Sequence, residues 1–228
     1  WTYTNIDEQK IWTWNANGLK AKIHWLKAAL EKEPDAPAII LVQETHIASG
    51  QEIPTLNGYR STHAGPSSRE AGVAIYYRSI LPTREAPQSP SDRIRSIFMD
   101  DIAILTAYAP VESASKEIRE TFYTDLAAHA THLRTLAKSM IIAGDFNAQL
   151  ANQAHSKDNC NGQLARKLIA LTDTELIPQT APTFIREDLT NQTTRRSTID
   201  HFITSRDIAG SHSSVSYTNL KLTTNNKT

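Results

Sequence analysis

The sequence predicts an α/β fold in which two mixed β-sheets pack together and are covered by helices. Three observations lead there. Short apolar or alternating runs outnumber helical patterns, the helical patterns are interspersed without strict alternation, and no linker, repeat or low-complexity tract divides the 228 residues. Strict strand–helix alternation would have indicated a TIM barrel instead. A chain of this length buries one sizeable core, so residues 1–228 are expected to form a single domain.

The elements follow from local pattern. "KIWTWN" alternates and runs into the turn-forming "NANG", a strand that delivers Asn15 to its exit. Leu19, Ile23, Leu26 and Leu30 recur at helical spacing, and "EKEPDAP" closes that helix. "AIILVQETH" is a continuous apolar run, as in a strand buried on both faces. Between Gly65 and Ser96, Pro and Ser residues mark a strand, "GVAIYYR", among surface loops; "IAILTAYAP" is the next strand. "SKEIRETFYTDLAAHATHLRTLA" is an amphipathic helix with Ile118, Phe122, Leu126 and Leu133 on one side. Leu136 and Met140–Ala143 lead a buried strand into "GDFNA"; "NGQLARKLIALTDT" is a helix and "STIDHFITS" a late strand. "SVSYTNLKL" alternates as a last strand.

Composition removes several function classes. Hydrophobic residues make up 39% and charged residues 21%, and no apolar run reaches the ~18 residues of a membrane span, so no membrane role is expected. The N-terminus has no basic n-region or apolar h-region, which argues against a secretory signal. It also lacks an initiator Met, which predicts a segment of a longer polypeptide. Cys160 is the one cysteine, which excludes an internal disulfide and points to a reducing compartment; its setting in "DNCNG" predicts a loop. Net charge is zero, against the basic face usual for broad electrostatic nucleic-acid binding.

Polar groups at strand ends carry the chemistry. Asn15 follows Ile11–Trp14, Glu44 follows Ile39–Val42, Tyr108 follows Ile102–Leu105, and Asp145 and Asn147 follow Met140–Ile142. Asp200 lies between Ile199 and the apolar pair Phe202 and Ile203. One carboxylate at a strand end is usually a solvated turn residue. Several, each after a core strand, predict convergence at one sheet edge. Gathering carboxylates out of water is costly unless a cation or hydrogen bonds compensate. The donors are oxygens, without paired cysteines or HExxH spacing, so Mg²⁺ or Mn²⁺ suits them better than Zn²⁺. Such an ion completes its shell with water and phosphate oxygens, which implies phosphoester hydrolysis.

"WNANG", "QETH", "AYAP", "GDFNA" and "STIDHFI", in this order, resemble the exonuclease–endonuclease–phosphatase superfamily from Trp14 to about Ser205. Within it, "WNANGL", "LVQETH", "GVAIYYR" and "PTF" ahead of "STIDHFI" are most similar to the endonuclease domain of non-LTR, LINE-type retrotransposons. The resemblance implies a four-layered α/β sandwich and a domain from the front of a reverse-transcriptase polyprotein acting in the nucleus. It implies Glu44 as the main Mg²⁺ ligand with Asn15 beside it, and Tyr108 at the scissile phosphate or its leaving oxygen. Asp145 would activate water, Asn147 would hold a phosphate oxygen, and Asp200 would pair with groups behind the phosphate. Thr183, Phe184 and Ser197 fall where the family's DNA-facing loop would be. Asn17 stands where relatives often have Asp, and His46 where abasic endonucleases tend to have Lys. Phe146 reads as a packing residue, and His201 as structural.

The implied activity is nicking of double-stranded DNA by a monomeric domain to leave a 3′-hydroxyl that primes reverse transcription, with the remaining polyprotein domains as partners. A repair-type abasic endonuclease, a phosphatase, or a catalytically impaired binding domain of the same fold are the alternatives. Family members end in a Ser-Asp-His motif that is absent here. Either "GSHSSV" is an altered version retaining His212 with Ser211 in place of the acid, or the motif follows Thr228. Spacing from Asp200 favours the second.

Overall fold

A computed structural model describes residues 2–6, 9–66, 71–151, 155, 157–179, 182–188, 193–209 and 216–217. In chain order these form β1 (Thr2–Ile6), β2 (Gln9–Asn15), α1 (Leu19–Lys32), β3 (Ile39–Gln43), β4 (Tyr59–Ala64), β5 (Val73–Arg78), β6 (Thr83–Glu85), β7 (Ile94–Met99) and β8 (Ile102–Tyr108). There follow α2 (Lys116–Arg134), β9 (Ser139–Asp145), α3 (Cys160–Leu171), β10 (Thr174–Leu176), β11 (Phe184–Asp188), β12 (Thr193–Ser197), β13 (Asp200–Ser205), α4 (Arg206–Ala209) and β14 (Ser216–Tyr217).

Two six-stranded mixed sheets result, ordered β14-β1-β2-β3-β5-β4 and β10-β13-β9-β8-β7-β6, with β11 and β12 as a separate hairpin. Each sheet holds one parallel pair at its centre, β2 with β3 and β8 with β9. Side-chain alternation explains the layering. On β2, Ile11 joins the core between the sheets while Trp12 and Trp14 turn outward toward α1. On β3, Ile39 and Leu41 point inward and Ile40 and Val42 outward, so every residue of the strand is buried. The second sheet mirrors this, with Ile104 and Ile141 inward and Leu105, Met140 and Ile142 against Phe122, Leu126 and Leu168 of α2 and α3. The order is helix, sheet, sheet, helices: the four-layered sandwich. Each fully buried Leu or Ile contributes about 1.5–3 kcal/mol of transfer free energy.

Helix starts are fixed locally. The Ser115 hydroxyl accepts from Ile118 N at 3.2 Å to open α2, and the Asn159 side chain accepts from Gly162 N at 2.7 Å to open α3. That second cap corrects the reading of Cys160 as a loop residue: it is the exposed first residue of α3. Ile118 is 55% exposed and outside the packed face of α2, because Tyr123, Ala127 and Ala130 fill that face with Phe122 and Leu126. Leu136 precedes β9 rather than belonging to it, and lies half exposed at the end of α2. The strand expected at "STIDHFITS" begins only at Asp200, since Ser197 closes β12. Strands β1, β4, β6, β7, β10 and the β11–β12 hairpin had no clear sequence signal: β4 is an edge strand without alternation, and the hairpin leaves Phe184 and Ile185 exposed. Ser211 and His212 lie outside the described residues. Among those described, no helix is long and apolar enough to cross a membrane.

Candidate active site at the shared edge of the two sheets

The parallel pairs aim their C-terminal ends at one edge, and β13, antiparallel to β9, begins there. Asn15 ends β2, Glu44 follows β3, Tyr108 ends β8, Asp145 ends β9 and Asp200 opens β13. Tyr108, Asp145 and Asp200 are direct register partners across three neighbouring strands. At this edge the Asn15 amide links the two sheets. Asn15 Nδ2 donates to Glu44 Oε1 at 2.6 Å and to Asp145 Oδ2 at 2.9 Å, the latter across 130 residues of sequence. The Tyr108 hydroxyl faces the Glu44 carboxylate. Asp145 Oδ1 accepts the Asn147 backbone N–H at 2.9 Å, and the Asn147 side chain is anchored on Ala109 O at 2.9 Å.

Backbone geometry at these positions is unusual. Asn17, Glu44, His46 and Asn147 all have positive φ, between 43° and 53°. Non-glycine residues adopt it at a cost of order 1–3 kcal/mol, and such residues cluster where surrounding structure fixes a site. His46 Nε2 lies 3.6 Å from Glu44 Oε2, at the rim.

Asp200 is held from below. The Thr183 hydroxyl accepts from Ile199 N and Asp200 N, both at 3.1 Å. Thr183 therefore supports an acid as well as facing the cleft. Ser197 accepts from Gln149 Nε2 at 3.3 Å. Behind the site, Phe146 is fully buried and His201 Nε2 donates to Ala148 O at 2.7 Å. Burial depresses His201 to about 4, so its imidazole is neutral.

A cleft of about 630 Å³ gathers Asn15, Glu44, Tyr108, Asp145, Asn147, Thr183, Ser197 and Asp200 on its walls. Trp14, Asn17 and Phe184 line it too, as do Trp25, Val111, Glu112, Gln149 and Asn159, none of which the motifs single out. Trp25 had one signal available: it falls off the apolar stripe Leu19–Ile23–Leu26–Leu30, an aromatic on a polar helix face, and is 44% exposed. Four of the described lining residues are acids and none is Lys or Arg.

Electrostatics follow from that imbalance. Burial, then the charge of Asp200, pushes the Asp145 carboxyl above its ordinary range; the bonds from Asn15 and Asn147 oppose this. Burial pushes Asp200 up as well, against the pull of Thr183. Burial, then the neighbouring Glu44 carboxylate, pushes the Tyr108 phenol up. Three carboxylates share a low-dielectric edge, and among the described residues no Lys or Arg forms an ion pair with any of them. A hard divalent cation fits this donor chemistry. The described acids form no cage of three ligands. Asn15 presents its amide nitrogen to both acids, its oxygen accepting Asn17 N at 3.1 Å; an amide flip would turn the oxygen toward them.

Two mixed sheets sharing a polar cleft at one edge define the DNase I-like class of fold. Residues 12–220 match the endonuclease/exonuclease/phosphatase family, and the chain belongs to it. The RNA-directed DNA polymerase from mobile element jockey of Drosophila funebris is 26% identical over 148 residues, 64% of this chain and 16% of that protein. The match thus spans a small part of that relative's length. Among solved structures, the 3′–5′ exonuclease NExo of Neisseria meningitidis superposes with a TM-score of 0.70 at 17% identity, covering 92% of this chain and 89% of that one. The AP endonuclease LMAP of Leishmania major gives 0.70 at 16%, over 92% and 80%. The endonuclease domain of TRAS1, a telomere-specific non-LTR retrotransposon, gives 0.63 at 16%, over 90% and 86%. At these identities the likeness establishes the fold.

Proposed function

We propose that the chain is a Mg²⁺-dependent DNA endonuclease of a non-LTR retrotransposon that nicks double-stranded target DNA and leaves a 3′-hydroxyl. The observation that carries this reading is the Asn15 amide joining Glu44 of one sheet to Asp145 of the other inside an acid-lined cleft. A phosphodiester cannot approach those acids without a compensating cation. The jockey and TRAS1 relatives support the retrotransposon origin.

Glu44, with Asn15 beside it, would hold the ion; Mn²⁺ suits the same oxygens. When bound, the ion supplies charge neutralisation at the phosphate and the departing oxygen. Asp145, joined to Asn15 at the head of the cleft, takes the proton of an attacking water as general base. The Tyr108 hydroxyl and the Asn147 amide offer donors to phosphate oxygens. Asp200, braced by Thr183, sustains the negative field behind Asp145. Water adds to phosphorus as Asp145 takes its proton, the bond to the 3′ oxygen breaks, and that oxygen takes up a proton from solvent to leave as the hydroxyl. The domain acts as a monomer in the nucleus, and its 3′ end is handed to the reverse transcriptase of the same polyprotein.

The test is nicking of intact supercoiled plasmid beside an abasic oligonucleotide and a soluble phosphate ester. Intact plasmid should be nicked with Mg²⁺, and Glu44→Ala should stop it. Cleavage confined to abasic DNA or to the ester would assign a repair or phosphatase role instead. Neither Mg²⁺ binding nor cleavage of any substrate would leave only a binding domain.

The uncharged, partly aromatic wall has its own expected result. Trp25→Ala should raise KM for DNA with kcat unchanged, because the exposed indole offers a stacking surface away from the reacting atoms. Loss of one base–aromatic stack is worth about 1–3 kcal/mol, or roughly tenfold and more in affinity. Steady-state nicking across DNA concentrations reads it.

A further inference from the structure

Beneath the cleft lies a group of side chains that takes no part in the chemistry above. Gln43 ends β3, fully buried, one residue before Glu44. Its Nε2 donates to Thr13 Oγ1 at 3.0 Å and to Thr106 Oγ1 at 2.8 Å, and its Oε1 accepts from Thr13 Oγ1 at 3.2 Å. Thr13 and Thr106 are themselves at most 1% exposed. Thr13 is on β2, two residues before Asn15; Thr106 is on β8 of the opposite sheet, two residues before Tyr108. One amide therefore ties together the three strands that deliver Glu44, Asn15 and Tyr108.

Stability alone gives little reason for such a trio. Replacing all members of a buried polar group by apolar side chains of the same shape is often nearly neutral. What hydrogen bonds add is direction. The surrounding contacts, Ile39 and Leu41 against Ile104 and Ile141, are non-directional and tolerate small slides between the sheets. Glu44 also leaves β3 in a left-handed conformation, so its carboxylate position is sensitive to how the preceding residue is held.

We infer that Gln43 is a positioning residue, whose bridge to Thr13 and Thr106 sets Glu44 in register with Asn15 and with Tyr108 of the opposite sheet. The inference rests on the nuclease reading and adds a residue to it.

The experiment compares Gln43→Met with the triple variant Gln43→Met, Thr13→Val, Thr106→Val, measuring thermal midpoint, Mg²⁺-induced thermal shift, and kcat and KM for plasmid nicking. The single variant leaves threonine hydroxyls unpaired and should lose both stability and kcat. The triple variant should regain the midpoint but not kcat, which stays about tenfold to a hundredfold down because small misplacements of reacting groups are that costly. Its Mg²⁺-induced shift should also be smaller, and KM unchanged. Recovery of kcat along with the midpoint would make the trio merely structural and overturn the inference. Thr106→Val and Thr106→Ser guard against a triple variant that does not fold: wild-type kcat in Thr106→Val also overturns it, whereas loss there with retention in Thr106→Ser supports it. Wild-type protein that neither nicks DNA nor shifts with Mg²⁺ would refute the nuclease reading itself, a result distinct from normal nicking by the variants.

Discussion

Asp145→Asn is expected to lower kcat for plasmid nicking by about 10²–10⁴-fold, the range for loss of a general base, while making the metal-free protein more stable. Both effects come from the same carboxylate. The carboxamide fits the same space and its oxygen still accepts the Asn147 N–H; its nitrogen meets the Asn15 amide, which must flip to offer its oxygen, and the group takes up no proton from water. It also ends the repulsion with Asp200 and Glu44 and the burial of a charge. The pH dependence has a definite sign. The folded Asp145 binds its proton more tightly than the unfolded chain, whose value is near 3.8, so this residue's contribution favours folding at low pH. That contribution is lost as pH rises from 3.8 through the raised folded value. The stability advantage of Asp145→Asn in EDTA should therefore be small at pH 4 and grow toward neutrality. Comparing the two proteins cancels His201, which titrates the opposite way: its stability is present above 6.5 and lost as pH falls toward about 4. Denaturant titrations at several pH values measure the gap, and a gap independent of pH would contradict the account.

Gly144→Ala is the second large effect, and it acts on folding. A Cβ at position 144 would sit 2.0 Å from the backbone oxygen of Ala107, with Ala107 C and N both at 3.0 Å. That neighbour is a register partner in the parallel β8–β9 pair, so it cannot move aside without breaking the ladder. Gly144 also has φ +153°, which L side chains rarely adopt. Overpacking costs typically about 1–3 kcal/mol, and backbone strain of this kind about 1–3 more. Against a total stability of about 5–15 kcal/mol, the variant should show a large fall in urea midpoint and in soluble yield. Gly58→Ala is the control: φ is +79° but nothing lies within 4 Å of the added methyl, so strain acts alone and the fall should be smaller.

Much of the site could be read from the sequence because Glu44 and Asp145 each follow an apolar run long enough to be a core strand. "IILVQE" and "MIIAGD" state both the burial and the exit point, and the parallel pairing then carries both exits to one edge. The parts that were not legible lack that coupling of pattern to position. "YRSTHA" forms an edge strand by pairing with the next strand, β5, and has no fully buried residue, while "TTRRS" forms one by pairing with β11 in a hairpin. Thr183 could be placed near the substrate, but its support of Asp200 depends on where the chain turns back before β13. Gln43 looked like one more residue of "LVQETH"; its partners, Thr13 on the neighbouring strand and Thr106 of the opposite sheet, are brought to its amide only by the fold.

The bond from Asn15 to Asp145, closing 130 residues of intervening chain, also bears on how the molecule comes to life. Contacts of such sequence separation form late, since loop closure must precede any gain from them. During refolding, catalytic competence should therefore lag behind the circular-dichroism signal of α1 and α2, appearing only when one half of the sandwich docks on the other. A half-assembled intermediate would be inert toward nucleic acid, and regained turnover would be a stricter gauge of native assembly than helicity.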